Sequence, residues 1–182
     1  MATIDWDKAY VMGRDYTSLS TRLVTQLLKY VPMRDSVLDL GCGTGQLTRE
    51  LWNRKFRKVT GVDGSQEALK LARAATTYPI EYRHKDLSQN FNIMFHQKFQ
   101  LITCKDTLAF IRDRDKFFQN VSKLLSKEGI FILISPDRSS YPKERWGITL
   151  DSDETKEDLG KYFILQNHFI EQREEFYICK TT

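Results

Sequence analysis

Three glycines within five residues carry the strongest chemical signal of the sequence. Gly41, Gly43 and Gly45 follow a short apolar run that begins at Ser36, and Asp39 lies two positions before the first glycine. Glycines permit a tight reversal of the backbone and its close approach to a ligand. The amide groups at the start of the helix that follows would favour a polar or anionic ligand group. The segment therefore predicts a ligand-binding turn between a strand and a helix.

An acid at the end of the next predicted strand supplies a second signal. Asp63 lies 22 positions after Gly41, and a carboxylate there can accept hydrogen bonds from both hydroxyls of a ribose. Together the turn and the acid indicate an adenosine-containing cofactor; the alternative is a structural turn with a surface aspartate. The glycine spacing is GxGxG, whereas a pyrophosphate-binding dinucleotide site has GxGxxG. An aspartate at position 39 suits a ligand with an amino group and a cationic centre better than it suits a pyrophosphate.

The elements that position these residues alternate between strand and helix. Periodicity and capping residues predict a helix near residues 19–31, capped by Thr17 or Ser18 and stopped by Pro32, and a helix from Ser65 to about Ala75. Residues 87–98 read as irregular, and Glu128–Gly129 as a turn. The remaining predicted elements are a helix at 46–52, a helix whose apolar side includes Phe117, Phe118 and Val121, and strands at 36–40, 59–62, 80–83, 99–104 and 129–135. Strands that are apolar on both faces indicate a doubly wound α/β fold with a parallel sheet, whose ligands bind beyond the carboxyl ends of the strands.

Composition bounds the class of protein. The 182 residues carry 28 basic and 24 acidic side chains, and 41% of them are hydrophobic, which favours one domain with a sizeable core. The longest apolar run, Ile130–Ile134, is too short to cross a bilayer, and the first residues show no secretory signal. Three separated cysteines argue against a disulfide scaffold or a zinc site. A cytoplasmic protein is expected, without a membrane or a metal. The basic run Arg54–Lys58 is the one feature that favours nucleic acid. No nucleic-acid-binding motif accompanies it, so nucleic acid is not expected as a partner.

These motifs resemble those of the class I S-adenosylmethionine-dependent methyltransferases. Val37–Gly45 is similar to their first motif, Gly61–Ser65 to the second, and Lys85–Leu87 to the segment whose acid meets the adenine amino group. Phe99–Leu108 resembles their fourth strand and the loop that flanks the methyl donor, and Leu124–Phe131 resembles their turn into strand five. The resemblance implies a Rossmann-like methyltransferase fold, with a doubly wound, mainly parallel seven-stranded sheet. A C-terminal antiparallel hairpin at 163–170 and 175–180, after an acidic helix near 153–161, would complete that sheet.

The resemblance also implies the cofactor and its site. S-adenosylmethionine would be converted to S-adenosylhomocysteine, with no metal required. The glycines would wrap its methionine and sugar portions, and Asp39 would hold either the loop or the amino group of the cofactor. Asp63 would hold the ribose hydroxyls, and Asp86 with Leu87 would frame the adenine. The predicted cofactor-binding residues are Tyr10, Arg14, Asp39, Gly41, Cys42, Gly43, Gly45, Gln46, Asp63, Gly64, Asp86, Leu87 and Lys105.

The acceptor side of the site carries fewer assignments. Asp106 is the first candidate for a base or substrate orienter, its alternative being a helix cap or a solvated loop acid. Tyr16, Tyr141 and Trp146 are candidates to contact the acceptor, or else anchor loops. Cys104 suggests a covalent mechanism, but its sequence context favours a buried strand-end cysteine.

The expected organisation is a single methyltransferase domain over residues 1–182. It comprises an N-terminal lid segment and helix (1–31), a cofactor-binding core (36–136), and a substrate loop with C-terminal strands (137–182). The predicted function is methyl transfer to a small-molecule acceptor by direct in-line displacement. Alternatives are a methyltransferase for RNA or protein, a non-catalytic subunit that binds the cofactor, and a dinucleotide oxidoreductase. Acceptor identity and oligomeric state stay open.

Overall fold

A computed structural model describes residues 4–15, 19–31 and 34–181, apart from the side chain of Trp146. In chain order the strands are β1 (Ser36–Leu40), β2 (Lys58–Asp63), β3 (Glu81–His84), β4 (Phe99–Lys105), β5 (Leu125–Pro136), β6 (Phe163–Glu171) and β7 (Glu174–Thr181). They form one sheet in the order β3-β2-β1-β4-β5-β7-β6. The first five strands are parallel to one another, and the β6–β7 hairpin is antiparallel. The predicted fold class is confirmed.

Helices connect the parallel strands and cover both faces of the sheet. They are α1 (Trp6–Val11), α2 (Thr21–Leu27), α3 (Gln46–Asn53), α4 (Gln66–Ala74), α5 (Arg114–Leu124) and α6 (Ser152–Gly160). Two short 3₁₀ turns matter for the site: Leu108–Phe110 after β4, and Lys143–Ile148 after β5. No helix among these described segments is long and apolar enough to cross a membrane.

The sheet buries an apolar cluster on each face. One cluster places the aromatic rings of α5, including Phe117 and Phe118, against β4 and β5. The other packs α2 and α3 against β1, β2 and β5. Because side chains alternate along a strand, both faces of β1 and β5 are buried, as the apolar composition of these segments predicts.

Strand register brings the chemically active segments to one edge. Leu40 of β1 pairs with Val62 of β2 on one side and with Cys104 of β4 on the other. Parallel strands in this register end at the same level. The glycine turn, Asp63 and Lys105 therefore meet at the carboxyl edge of the sheet.

Two local predictions are wrong. The first long helix is capped by Ser20, whose hydroxyl accepts from the Leu23 amide, because α2 begins at Thr21; Thr17, Ser18 and Pro32 lie outside the described residues. Glu128–Gly129 is not a turn that precedes β5. The strand starts at Leu125 and its pairing with β4 shifts register, so that residues 126–129 form an irregularity within it.

Candidate active site

The glycine turn has the left-handed backbone that its composition predicts. Gly41, Gly43 and Gly45 have φ values of +72°, +52° and +78°. The amides of Gly41 and Cys42 both donate to the Val62 carbonyl, and the amide of Gly45 donates to the Cys42 carbonyl. The Gly43 amide donates to the Asp63 carboxylate. These four amides therefore bind within the fold. The amides at the start of α3, which are expected to favour a polar or anionic ligand group, are a different set, and that expectation stays a prediction.

Neighbouring side chains explain why two of these positions need glycine. A Cβ at Gly41 would lie 1.9 Å from Oγ1 of Thr107, and a Cβ at Gly43 would lie 2.8 Å from the Tyr10 hydroxyl. Both distances are shorter than real Cβ atoms show to non-bonded neighbours, so α1 and the segment after β4 approach the turn because it lacks side chains.

Asp39 anchors the turn from below. Its Oδ2 accepts from the Thr48 hydroxyl at 2.6 Å, and its Oδ1 accepts from the Thr103 hydroxyl at 2.8 Å. The side chain therefore ties β1 to α3 and β4. Burial raises the pKa of Asp39 to about 6, against the opposing effect of the two hydroxyl donors. Of the two roles that the resemblance implies, holding the loop is the one these contacts support.

Asp63 fixes the position of the turn relative to β2. Its Oδ2 accepts from the Gly43 amide and its Oδ1 from the Ser65 amide, both at 2.8 Å. Burial raises the pKa of Asp63, although the backbone donors and His84 act in the opposite direction. Each carboxylate oxygen has a second lone pair, so hydroxyl groups of a ligand can still bind there.

A cavity of about 970 Å³ lies over this edge of the sheet. Among the described residues its lining has five carboxylates and two cations. The carboxylates are those of Asp15, Asp39, Asp63, Asp86 and Asp106, and the cations are Lys105 and Arg112. A surface of this charge favours a cationic ligand over a pyrophosphate.

The N-terminal segment closes one side of the cavity. Asp7 of α1 accepts from the Ser65 hydroxyl at 2.6 Å and from the Glu67 amide at 3.1 Å, so it binds the start of α4. The Trp6 ring packs edge-on against Phe110, with 4.8 Å between ring centroids.

The segment beyond α1 also binds the glycine turn. Asp15 accepts from the Thr44 hydroxyl at 2.9 Å and from the Gln46 amide group at 2.8 Å. The N-terminal segment predicted to act as a lid therefore lines the cavity and contacts the glycine turn, and its role as a lid stays a prediction.

Two cavity-lining residues, Lys105 and Asp106, belong to a buried group of three charges whose third member is Glu174. The Lys105 ammonium binds the Asp106 carboxylate and lies 3.4 Å from Oε1 of Glu174 on β7. Oδ1 of Asp106 and Oε2 of Glu174 are buried without a hydrogen-bond partner among the described residues. Burial raises the pKa of both carboxyl groups, and the charge of Asp106 raises that of Glu174 further. Asp106 is therefore neither a helix cap nor a solvated loop acid.

Most of the predicted cofactor residues meet in this cavity. Those that line it are Tyr10, Asp39, Gly41, Cys42, Gly43, Gln46, Asp63, Gly64, Asp86, Leu87 and Lys105. Asp86 is exposed and accepts from the Ser88 amide, whereas Leu87 is buried. Gly45 and Arg14 are not part of the wall as described: Gly45 caps α3 from behind the turn, and Arg14 is exposed.

The predicted acceptor residues are placed less favourably. Tyr16 lies outside the described residues, and the side chain of Trp146 is not described, although the adjacent Gly147 and Ile148 line the cavity. Tyr141 is not part of the described wall; its ring lies against the Arg173 guanidinium at 4.8 Å. These assignments stay predictions.

Cys104 is fully buried, and burial strongly raises the pKa of its thiol. A thiol in this state is a poor nucleophile, which agrees with its interpretation as a structural residue. Among the described residues, no cluster of His, Cys, Asp and Glu is arranged to hold a metal ion.

Several wall residues were not predicted from the sequence. Phe110, Ile111 and Arg112 come from the segment after β4, and Ile148 comes from the 3₁₀ turn after β5. Their position just beyond strand ends is a signal in the sequence that could have identified them. Glu174, which binds Lys105, has no such signal, because its strand runs antiparallel and starts far along the chain.

Comparison with known proteins agrees with this geometry. A family described as "Methyltransferase domain" matches residues 34–168. A ubiquinone biosynthesis O-methyltransferase of Actinobacillus pleuropneumoniae is 33% identical over 57% of this chain and 46% of its own. A trans-aconitate 2-methyltransferase of Escherichia coli O157:H7 is 28% identical over 76% of this chain and 54% of its own. The chain thus spans about half the length of these two relatives.

A solved structure matches over nearly the whole chain. It is that of an S-adenosylmethionine-dependent methyltransferase from Clostridium acetobutylicum, with a TM-score of 0.73 and 21% identity over 97% of this chain and 96% of its own. At that identity the likeness shows the fold alone. The family match shows that the chain belongs to the methyltransferase domains, and its fold is that of this S-adenosylmethionine-dependent enzyme.

Proposed function

We propose that the protein transfers a methyl group from S-adenosylmethionine to a small-molecule acceptor. The observation that carries this proposal is the cavity at the carboxyl edge of the sheet, where the glycine turn and Asp63 adjoin a wall with excess negative charge. Membership of the methyltransferase family supports it.

The residues present fit the proposed cofactor. S-adenosylmethionine carries a sulfonium and an ammonium group, and an acidic wall attracts both. Four amides of residues 41–45 donate within the fold, which leaves this turn poorly suited to a pyrophosphate. A dinucleotide oxidoreductase is therefore the weaker hypothesis.

Each part of the site has a task in this proposal. When bound, the cofactor supplies a methyl group activated by its positively charged sulfur. Asp63 binds the ribose hydroxyls, and Leu87 with Asp86 contacts the adenine. The closed lid excludes water, and alignment of the two reactants supplies much of the lowering of the barrier, roughly 7–11 kcal/mol for well-oriented partners. Asp106 takes a proton from an acceptor that arrives protonated.

The acceptor side of the cavity favours a small, partly apolar molecule. Phe110, Ile111 and Ile148 line the wall near Asp106, and Trp6 closes it. One relative is named for ubiquinone biosynthesis and another for methylation of trans-aconitate, and both names point to small molecules. The basic run Arg54–Lys58 gives less support to RNA because it precedes β2, at the edge of the sheet opposite the cavity.

Calorimetry followed by turnover tests the proposal. We expect the protein to bind S-adenosylmethionine with 1:1 stoichiometry and not to bind NAD. Binding of NAD alone would contradict the proposal. Release of S-adenosylhomocysteine is then measured with a panel of small phenols, hydroxy acids and amines, and separately with total RNA and a protein lysate. Turnover with RNA or protein alone would overturn the acceptor class, and donor binding without turnover in any arm would favour a non-catalytic subunit.

A further inference from the structure

We propose that Asp106 and Glu174 share one proton around the Lys105 ammonium, and that Glu174 is thereby a positioning residue for proton transfer from the acceptor. This inference rests on the proposed function for its chemical purpose. The pair itself is a property of the protein without a ligand.

The first step of the argument is the count of charges. One ammonium faces two carboxyl groups, and the three side chains are only 10%, 18% and 16% exposed for Lys105, Asp106 and Glu174. Two ionised carboxylates would leave one negative charge uncompensated in a poorly solvated place, which costs several kcal/mol per ion. A single added proton makes the group neutral.

The second step is the count of hydrogen bonds. Each carboxyl group uses one oxygen toward Lys105 and leaves its other oxygen buried without a partner among the described residues: Oδ1 of Asp106 and Oε2 of Glu174. Unpaired buried carboxylate oxygens are costly. A proton on either oxygen turns one of these unpaired acceptors into a neutral O–H group and removes the excess negative charge around Lys105.

The third step concerns how the group is held in place. Lys105 is the last residue of β4, and the Asp106 amide donates to the Ile134 carbonyl of β5. Asp106 has a φ of +53°, a left-handed backbone that is uncommon outside glycine. Glu174 reaches the group from β7, on the far side of β5, where it pairs with Pro136. Three strands therefore fix the three charges relative to one another.

Other titratable groups around the pair do not replace the shared proton. Asp39 on β1 acts electrostatically on Lys105, and its negative charge adds to the excess. The Cys104 thiol, on the strand that leads to Asp106, stays neutral because burial raises its pKa. Neither group supplies a compensating positive charge.

The pair accounts for a base of suitable strength at neutral pH. An isolated aspartate, with an ordinary pKa of about 3.9, is a weak base, and a base is most effective when its pKa lies near the working pH. The step assigned to the pair is a proton transfer alone. The shared proton first leaves to water, which makes the doubly ionised pair the base. The O–H or N–H bond of the acceptor then breaks, its electron pair stays on the acceptor atom, and its proton takes the place of the shared one on Asp106 and Glu174. The acceptor class is therefore a hydroxyl, phenol or amine rather than a preformed anion.

The test is a carboxyl titration of the intact, ligand-free protein by ¹³C NMR, in the wild type and in Glu174→Gln, Asp106→Asn and Glu175→Gln. Glu175 is the matched control because it is the adjacent buried acid of β7 but binds His168 and Ser152 instead. We expect the wild-type pair to titrate in two steps, the upper midpoint lying above about pH 6 against an ordinary glutamate value of about 4.3. Glu174→Gln and Asp106→Asn each leave one step, at lower pH than the wild-type upper step, and Glu175→Gln keeps both steps.

The inference is overturned if both wild-type carboxyl groups finish titrating below about pH 5, or if Glu174→Gln leaves the upper midpoint where it was. The wild-type titration decides the question even if a variant does not fold. Because no cofactor is present, the outcome is independent of the proposed function: a protein that fails to bind S-adenosylmethionine can still show the shared proton, and the reverse also holds.

Discussion

Asp39 makes the stability of the protein depend on pH in a direction that can be calculated. Its carboxyl group is buried, and its pKa of about 6 compares with about 3.9 in an unfolded chain. Between about pH 4 and pH 6 the folded state therefore binds more protons than the unfolded state, so the free energy of unfolding falls as the pH rises. The two pKa values differ by about 2 units, and each unit corresponds to about 1.36 kcal/mol. Ionisation of this single group therefore lowers the free energy of unfolding by about 3 kcal/mol by pH 7.

Replacing Asp39 with Asn removes this dependence while keeping the shape of the side chain. Its amide oxygen accepts from one threonine hydroxyl, and its NH2 group donates to the other, which must reorient. Urea unfolding of both proteins, followed by tryptophan fluorescence from pH 4 to pH 7.5, measures it, and Asp35→Asn serves as an exposed carboxylate control. We expect the difference in the free energy of unfolding between wild type and Asp39→Asn to change by about 3 kcal/mol over this range. The wild type loses stability relative to the variant as the pH rises. A difference that stays constant within 0.5 kcal/mol (about the scatter of such measurements) would refute the reasoning about burial.

Three further substitutions test the turn, the lid and the ribose acid. Gly41→Ala lowers the free energy of unfolding by about 2–4 kcal/mol in urea titrations, because it combines a positive φ with overpacking. Adding Thr107→Ala restores only part of this stability, since φ stays at +72°. Full restoration would disprove the backbone contribution. Asp7→Ala weakens S-adenosylhomocysteine binding several-fold in calorimetry by releasing α1 from α4, whereas the exposed Lys8→Ala does not; equal affinities would show that the lid contact is irrelevant. Asp63→Asn weakens the same binding by about 1–3 kcal/mol with native circular dichroism, and unchanged affinity would remove Asp63 from the site.

The parallel part of the fold could be predicted because its rules are local. Strands β1, β4 and β5 are largely apolar, and each is followed by a polar or glycine residue. Ser65 caps α4 as its type and place predict. The left-handed glycines of the turn and the acid after β2 follow from the same strand-to-helix connections. These elements need no knowledge of distant contacts.

The remainder depends on tertiary contacts that the sequence does not encode locally. Helix α1 has six residues and little apolar periodicity; contacts of Asp7 and Trp6 with distant segments hold it. Glu174 lies 68 positions after Asp106, and the antiparallel pairing of β7 with β5 brings the two together. The irregularity at 126–129 was mistaken for a turn because glycine favours both.

The most direct test of the proposed function is a crystal structure of the protein grown with S-adenosylhomocysteine. We expect the ligand in the cavity at residues 41–45, with both ribose hydroxyls within hydrogen-bond distance of the Asp63 carboxylate and the sulfur open toward the Asp106 side. A cavity that stays empty at saturating ligand, or a ribose held away from Asp63, would contradict that assignment.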